Sequence, residues 1–588
     1  MKENDLDPIA FSVVWGGLVS ASVEMGVTLS RTAYSMAVRE GSDFSTGIFD
    51  ADGYMVAQGD YSPGHLGSMA FAVNMMLSAH PREGLRPGDA IMCNDPGVGS
   101  GHLPDVYMVS PVFHESELIG FSVCIAHQID VGGAGAGSTV IQGVLDNYQE
   151  GIRIPPTLAF EQGEPVKAVF NIIGANVRAA EVLGDLRAQF NANLVGAARM
   201  RDLAKRYGTK VLKRCMREII DRSEAQMRQE IAAMPQGTYV FEDQLDDCGP
   251  STPPIRFKVA VTIADGEVVL DWNGTDPQVE AGMNAYFHYT YAYSIAAVKS
   301  VTLPRAPQNE GVIRCIKVKA PLGSFLNAAR PAACGGRAVV SHRIYETALG
   351  ALSKAVPNRV IAANSHFFNP MVGGLNPRTG KPFILWEIVV GGIGARYTKD
   401  GFEATASPYN TTNVPVELQE IATPVIIERV ELVQDSSGAG RFRGGCAMRK
   451  DIRLLADNTS FYNVGDRAKF AAYGLFGGAA GELGRTLLNP DTPKEQTLSS
   501  KGTYRLKEND VISWQTSGAG GTGDPFTRES ALVLEDVLDG FVSADAAASR
   551  YGVIVDIASK QVDEAATRKL RNLKRPTSEV VASGNATA

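Results

Sequence analysis

The hydrophobic pattern of this chain changes its period along the sequence, and this change limits the folds that the chain can adopt. Apolar residues recur at helical spacing over residues 8–33, after Asp7 as a candidate N-cap. Over residues 43–57 the period becomes two around a polar turn, which predicts a β-hairpin. Residues 106–113 and 118–126 predict a second hairpin. The chain therefore combines helices with antiparallel strands.

A single hydrophobic core cannot serve the whole chain, because its 588 residues exceed the length of about 250–300 residues at which cores stop growing. Residues 174–234 predict two long helices, and short strands between glycine turns predominate after residue 360. We predict a multidomain α+β fold with mixed sheets, long helices and a β-rich C-terminal part. Its predicted regions are an N-terminal α/β metal-site region (1–165), a helix-rich α+β middle (166–360), a β-rich C-terminal region (361–574) and a disordered tail (575–588).

Composition and charge argue against several classes of partner. The net charge of -8 arises from 64 acidic and 56 scattered basic residues, so no basic patch predicts nucleic-acid binding. No uncharged apolar stretch of about 18 residues predicts a membrane span. The acidic N-terminal residues are unlike a signal peptide, which predicts a cytoplasmic protein. The seven cysteines lie far apart, which argues against a disulfide framework and a four-thiolate zinc site.

Two motifs suggest other chemistry on first inspection. Residues 374–382 resemble a phosphate loop, but the spacer is one residue too long and Pro382 replaces the magnesium-binding Ser or Thr. We predict a hairpin turn there and no nucleotide site. Cys334 and His342 could form a thiolate–imidazole pair, although a buried structural cysteine is the more usual case.

The candidate metal site comes from the predicted pairing of the second hairpin. A turn near residues 115–116 places Asp105 nearly opposite His127, about 5 Å away across the two strands. His102 precedes Asp105 by three residues, and Pro104 favours a bend or an extended segment between them. Asp43 occupies the matching position at the open end of the first hairpin. We predict His102, Asp105, His127 and Asp43 as metal ligands.

Two imidazoles with one or two carboxylates favour Zn, Mn or Fe over Ca or Mg and leave coordination positions open. We predict that His65, Asp60 and Asp130 support the ligands without binding the metal themselves. A purely structural alternative stays open at this point. His102 and Asp105 could cap the loop and the strand, and His127 could be a hydrogen-bonded core histidine.

Many short segments of the chain resemble, in order, signatures of the hydantoinase B and oxoprolinase family. The resemblance covers nearly the whole chain. It is carried by Asp43-Phe44-Ser45, Phe49-Asp50-Ala51-Asp52-Gly53, Val56-Ala57-Gln58, His65-Leu66-Gly67-Ser68-Met69, Asn94-Asp95-Pro96, His102-Leu103-Pro104-Asp105, Ala126-His127, Asn309-Glu310-Gly311, Ala320-Pro321-Leu322-Gly323-Ser324, Gly523-Asp524-Pro525, Leu534-Glu535-Asp536-Val537 and Tyr551-Gly552-Val553.

The resemblance implies a subunit that carries a divalent metal on His102, Asp105 and His127, with Asp43 as a further ligand. It also implies a hydantoinase A-like partner with an actin fold, which binds ATP and Mg and phosphorylates the substrate. Gln128 departs from the His-His-Ala-Asp pattern of the cyclic-amide hydrolases and would remove an imidazole beside the metal.

That departure favours an ATP-dependent carboxylase that joins bicarbonate to a ketone of the acetone or acetophenone type. The alternatives are ATP-dependent hydrolysis of a hydantoin, 5-oxoproline or lactam, and a scaffold subunit with a structural metal. The residues that would carry out catalysis itself are not identified from the sequence.

Overall fold

The structure is a computed structural model that describes residues 6–59, 61–306 and 308–574. Asp60, predicted to support the metal ligands, and the predicted disordered tail (575–588) lie outside the described residues. The predicted α+β class with mixed sheets and long helices is confirmed, because four larger sheets are interleaved with helices along the described chain.

The N-terminal sheet has seven strands in the order β2-β1-β5-β4-β3-β6-β7, with antiparallel pairing throughout. Its strands are β1 (Phe44–Phe49), β2 (Met55–Gln58), β3 (Ala90–Cys93), β4 (Asp105–His114), β5 (Glu117–His127), β6 (Thr157–Glu161) and β7 (Glu164–Pro165). The helices of this part are α1 (Pro8–Thr32), α2 (Met36–Arg39), α3 (Pro63–Ala79), α4 (Asn147–Glu150), α5 (Lys167–Asn176), α6 (Glu181–Tyr207) and α7 (Thr209–Ala232). Both predicted hairpins are present.

The two faces of this sheet pack against different helices, because successive side chains of a strand point to opposite faces. Cys124 and Ala126 of β5 belong to the core that includes α1 and α6. Val123 and Ile125 belong to the core that includes α3. His127, the last residue of β5, therefore points to the same face as Ile125.

One helix needs a correction to the sequence analysis. Among the described residues, α1 is long and apolar enough to cross a membrane by length and composition alone. One side of it, including Val14, Leu18 and Met25, is fully buried in the core that it shares with α6. These contacts are those of a helix that covers a sheet.

The middle sheet has four strands in the order β11-β10-β9-β8. The elements of this part are β8 (Gly237–Leu245), β9 (Ile255–Ala264), β10 (Glu267–Asp271), α8 (Phe287–Thr302), α9 (Glu310–Arg314), β11 (Ile316–Lys319) and α10 (Ala338–Leu352). α10 is buried along its entire length, and its N-terminal end reaches the predicted metal site.

Short strands dominate the C-terminal part, as the glycine-punctuated sequence predicts. They are β12 (Met371–Leu375), β13 (Pro382–Trp386), β14 (Val425–Val433), β15 (Ala447–Leu454), β16 (Thr459–Val464), β17 (Arg485–Leu488), β18 (Gln496–Leu498), β19 (Lys501–Leu506), β20 (Val511–Gln515), β21 (Val555–Asp556) and β22 (Gln561–Val562). The helices are α11 (Val416–Ala422), α12 (Ser530–Leu538), α13 (Ala544–Tyr551) and α14 (Glu564–Lys574). The loop that resembles a phosphate loop connects β12 and β13 as a hairpin turn.

The largest hydrophobic cluster includes residues of all three predicted regions, from Phe49 through Phe257 to Leu475. The predicted region boundaries after residues 165 and 360 stay predictions.

Candidate metal centre

The pairing of β4 with β5 brings two of the predicted ligands together. Asp105 is the first residue of β4, and its register partner is His127, the last residue of β5. His102 turns back onto them, because the backbone N–H of Asp105 donates to the carbonyl oxygen of His102 at 3.2 Å. Nε2 of His102 lies 3.1 Å from Oδ1 of Asp105 and 3.2 Å from Nδ1 of His127. Three donor atoms therefore converge on one point.

The tautomer of His102 is set by a backbone carbonyl. Its Nδ1 lies 2.9 Å from the carbonyl oxygen of Gly335 and donates a hydrogen bond to it. Nε2 then carries a lone pair toward Asp105 and His127. Burial and the nearby charge of Arg337 lower the pKa of His102 to about 4, so the imidazole is neutral at neutral pH. A neutral imidazole oriented in this way is the form that binds metals.

Asp105 uses its two carboxylate oxygens differently. Oδ2 accepts a hydrogen bond from Nη2 of Arg337, and Oδ1 faces the two histidines. Burial alone would raise the pKa of Asp105, but the charge of Arg337 and the histidine contacts hold it well below its usual value. The carboxylate is therefore ionised, and one of its oxygens is directed into the site.

Asp43 and His65 lie around the same point at longer range. Asp43 precedes β1, and its carbonyl oxygen accepts a hydrogen bond from the backbone N–H of His127 at 3.0 Å. Its carboxylate oxygens lie 3.8 Å from Nε2 of His65 and 3.9 Å from Nδ1 of His127. His65, from α3, lies 3.7 Å from Oδ1 of Asp105. The structure thus gathers four histidine or aspartate partners around Asp105.

Asp130 lies in a different environment from the other predicted residues. Its buried carboxylate accepts hydrogen bonds from the Arg178 guanidinium at 2.8 Å and from the backbone N–H of Gly137 at 3.3 Å. Arg178 also donates to the carbonyl oxygen of Gly135 at 3.1 Å. Asp130 therefore fixes the glycine-rich loop that follows β5, and none of its hydrogen bonds within the described chain involves His102, Asp105 or His127.

Sequence reasoning missed the residues that hold the site from the far side. Arg337 pairs with Asp105 across 232 residues of sequence, and Gly335 orients His102 across 233. Glu150 accepts hydrogen bonds from the backbone N–H groups of Cys334 and Gly335 and so holds the segment that contacts His102. Only the unusual Ala-Cys-Gly-Gly sequence at 333–336 marked this segment in advance.

The thiolate alternative does not agree with the geometry. Burial and the neighbouring Glu150 raise the pKa of Cys334 well above its ordinary value, which keeps the thiol protonated. His342 packs against His366 and Phe367, with ring centroids at 4.3 and 4.6 Å. Cys334 instead contacts Asn147 and Glu150.

The donor set fits a divalent transition metal. The lone pairs of His102 Nε2 and Asp105 Oδ1 face each other at 3.1 Å, an arrangement that a shared cation stabilises. Nε2 of His127 is buried and has no hydrogen-bond partner among the described residues, so Nδ1 is free to serve as the ligand atom. The adjoining cavity of about 20 Å³ has room for about one ion or water molecule. Its wall includes Tyr289, Tyr293, Phe367, Tyr409 and Thr411.

The sequence argument that Gln128 removes an imidazole beside the metal is wrong. Gln128 follows His127 and points to the opposite face of the sheet, as residue alternation requires. Its side-chain amide donates to Oε1 of Gln189 on α6 at 3.1 Å. A histidine at this position would face α6, so its absence does not distinguish a carboxylase from an amide hydrolase.

Comparison with known proteins agrees with the resemblance seen in the sequence. The chain is 32% identical to a D-/L-hydantoinase B protein of Pseudomonas sp., which is named as a subunit, over 97% of this chain and 98% of that protein. It is also 32% identical to the beta subunit of the caprolactamase of Pseudomonas jessenii, over 97% and 99% of the two chains.

Two solved structures share the fold over most of the chain. The ATP-dependent caprolactamase from Pseudomonas jessenii superposes with a TM-score of 0.89 at 30% identity, covering 97% of this chain and all of that one. A nucleotide-free acetone carboxylase gives the same TM-score of 0.89, covering 97% of this chain and 84% of that one; at 21% identity it shows the fold alone. The sequence model of the Hydantoinase B/oxoprolinase family matches residues 7–525, and the chain belongs to this family of enzymes.

Proposed function

We propose that this chain is the metal-site subunit of an ATP-dependent enzyme that opens a cyclic amide. The observation that carries the proposal is the buried cluster of His102, Asp105 and His127, whose donor atoms lie 3.1–3.3 Å apart. The two bacterial relatives at 32% identity are named as subunits of a hydantoinase and of a caprolactamase. Both of those names refer to enzymes of cyclic amides.

In this proposal His102, Asp105 and His127 hold Zn, Mn or Fe, with Asp43 as a further ligand. Such a metal acts as a Lewis acid that polarises an oxygen and lowers the pKa of water. Arg337 keeps Asp105 ionised and fixed through its Oδ2 contact. The aromatic wall of the cavity limits the access of bulk water to the reacting group.

ATP and Mg are assigned to a partner. The chain has no sequence that satisfies a phosphate loop, and the relatives named above are subunits. In the 5-oxoprolinase PfmaA of Pestalotiopsis fici the matching segment makes up only 42% of the protein. That protein therefore carries further sequence that this chain lacks. A hydantoinase A-like subunit with an actin fold, in the cytoplasm, is our proposed partner.

A ketone carboxylase is the second candidate, because the fold superposes equally well on acetone carboxylase. In that case the substrates are a ketone and bicarbonate, and the same metal site guides the formation of the carbon–carbon bond. The 32% identity to cyclic-amide enzymes, together with the orientation of Gln128 away from the site, places this reaction second.

The test uses the tagged chain purified together with its ATPase subunit. The complex is incubated with Mg-ATP and hydantoin, 5-oxoproline or ε-caprolactam, and in parallel with acetone or acetophenone and ¹³C-labelled bicarbonate. We expect a ring-opened product with release of ADP. We expect His127→Ala to assemble normally and form no product, and His114→Ala, in the turn of the same hairpin, to behave as the wild type.

The other outcomes each identify a different function. A ¹³C-labelled β-keto acid would establish the carboxylase in place of the amide hydrolase. Failure of His127→Ala to assemble with its partner, while His114→Ala assembles normally, would favour the scaffold with a structural metal.

A further inference from the structure

Two pockets meet at the loop that joins β13 to α11. The inner one is the cavity of the candidate metal centre, and Tyr409 and Thr411 form part of its wall. The outer one, of about 350 Å³, is lined by the same Tyr409 and Thr411 together with Asn410 and small residues such as Ala406. A molecule in the outer pocket is thus separated from the metal centre only by this loop.

Neighbouring residues of the loop differ in their hydrogen bonding. The hydroxyl of Tyr409 donates to the carbonyl oxygen of Ala338 at 3.0 Å and lies 3.0 Å from the hydroxyl of Tyr289. By contrast, Oδ1 of Asn410 and Oγ1 of Thr411 are buried and have no hydrogen-bond partner within the described chain. Thr411 is 93% buried, since its relative exposure is 7%. A buried polar atom without a partner costs free energy unless a ligand or a water molecule satisfies it.

The loop is held in place on both sides of this pair. The backbone N–H of Thr412 donates to the carbonyl oxygen of Gly41 at 3.1 Å, two residues before Asp43. The backbone N–H of Thr405 donates to the carbonyl oxygen of Gly391 at 2.7 Å. These anchors limit how far Asn410 can turn to find a partner within the protein.

We propose that the outer pocket is the substrate subsite, in which Asn410 and Thr411 bind the amide group of a small cyclic amide. The inference rests on the proposed function. A side-chain amide can present its oxygen or its NH₂ group, and a hydroxyl can donate or accept. The pair therefore complements a –CO–NH– unit, which offers one acceptor and one donor. A simple ketone offers only an acceptor and satisfies one of the two.

The test is isothermal titration of the metal-loaded full chain with hydantoin, 5-oxoproline and ε-caprolactam. Thr411→Val removes the hydroxyl at nearly constant volume, and Thr411→Ser retains it. Thr423→Val is the matched control, because Thr423 is also buried and its hydroxyl already donates to the carbonyl oxygen of Gln419 at 2.7 Å, away from both pockets. We expect about tenfold weaker binding in Thr411→Val and in Asn410→Ala. We expect wild-type affinity in Thr411→Ser and Thr423→Val, and unchanged metal content in all four variants.

The outcomes separate the subsite from the reaction. Equal binding by the wild type and Thr411→Val, or no binding of any of these amides by the wild type, would overturn the subsite. Ring opening by the complex is measured separately. Weakened binding in the variants without any ring opening would retain the subsite and refute the proposed reaction.

Discussion

The ion pair between Asp105 and Arg337 makes a quantitative prediction for the metal-free chain. Both side chains are buried, at 1% and 4% exposure, so neither charge is solvated by water. Two unit charges about 4 Å apart attract by about 4 kcal/mol at an effective dielectric constant of about 20. Removing one partner of a buried pair costs about 3–5 kcal/mol, because the other charge is left uncompensated.

We therefore expect Arg337→Met and Asp105→Asn each to lower the free energy of unfolding by about 3–5 kcal/mol in the metal-free chain. The double variant removes both charges and should recover most of this loss, with a coupling energy of about 3 kcal/mol. The two variants should differ in metal content. Arg337→Met keeps all the proposed ligands and the metal, whereas Asp105→Asn loses it.

Urea unfolding of the chelator-treated chain measures these free energies, and hydrogen exchange of peptides from residues 102–127 localises the effect. Arg222→Met is the control, since Arg222 is exposed and pairs with Glu218 on the surface of α7. Its effect should stay within about 0.5 kcal/mol. Additive effects of the Asp105 and Arg337 substitutions, with coupling below about 0.5 kcal/mol, would refute the argument.

Three further predictions concern the ligands, a buried acid and a buried base. His102→Ala and His127→Ala should lose the metal measured by mass spectrometry, while His80→Ala retains about one ion per chain; unchanged metal in both ligand variants would contradict the site. Burial raises the pKa of Glu150 from 4.5 to about 7, so folding stability falls by about 3 kcal/mol as the pH rises from 4.5 to 7. Glu150→Gln should abolish this slope in melting temperatures between pH 5 and 8, and an unchanged slope would contradict it. Lys501→Met should cost about 3–5 kcal/mol in urea unfolding, because it strands buried carboxylates; a loss below about 1 kcal/mol would contradict that reasoning.

The sequence could predict the half of the candidate site that depends on local pairing. Asp105 and His127 meet because the hairpin turn sets the register of β4 and β5, and turn position can be estimated from the sequence. Arg337 and Glu150 could not be predicted in this way, because α10 and α4 reach the site through tertiary packing. No periodicity or turn signal encodes that packing.

The error over Gln128 has a simple physical origin. Adjacent residues in a strand are neighbours in sequence but lie on opposite faces of the sheet. An even number of positions separates His127 from Ile125, which packs toward α3, and an odd number separates it from Gln128, which contacts Gln189 on α6. Strand parity, applied to β5 beyond its predicted end, would have placed Gln128 correctly.

The contacts of the ligand side chains also bear on whether the metal serves catalysis or structure. In structural metal sites the ion compensates ligand charges that otherwise repel one another, so metal binding and folding are coupled. Here the Asp105 carboxylate is already compensated by Arg337, and His102 is already oriented by the carbonyl oxygen of Gly335. The protein thus provides the charge balance and the ligand orientation itself. A site organised in this way does not require the metal as a folding element, and the ion's remaining coordination positions are available for substrate.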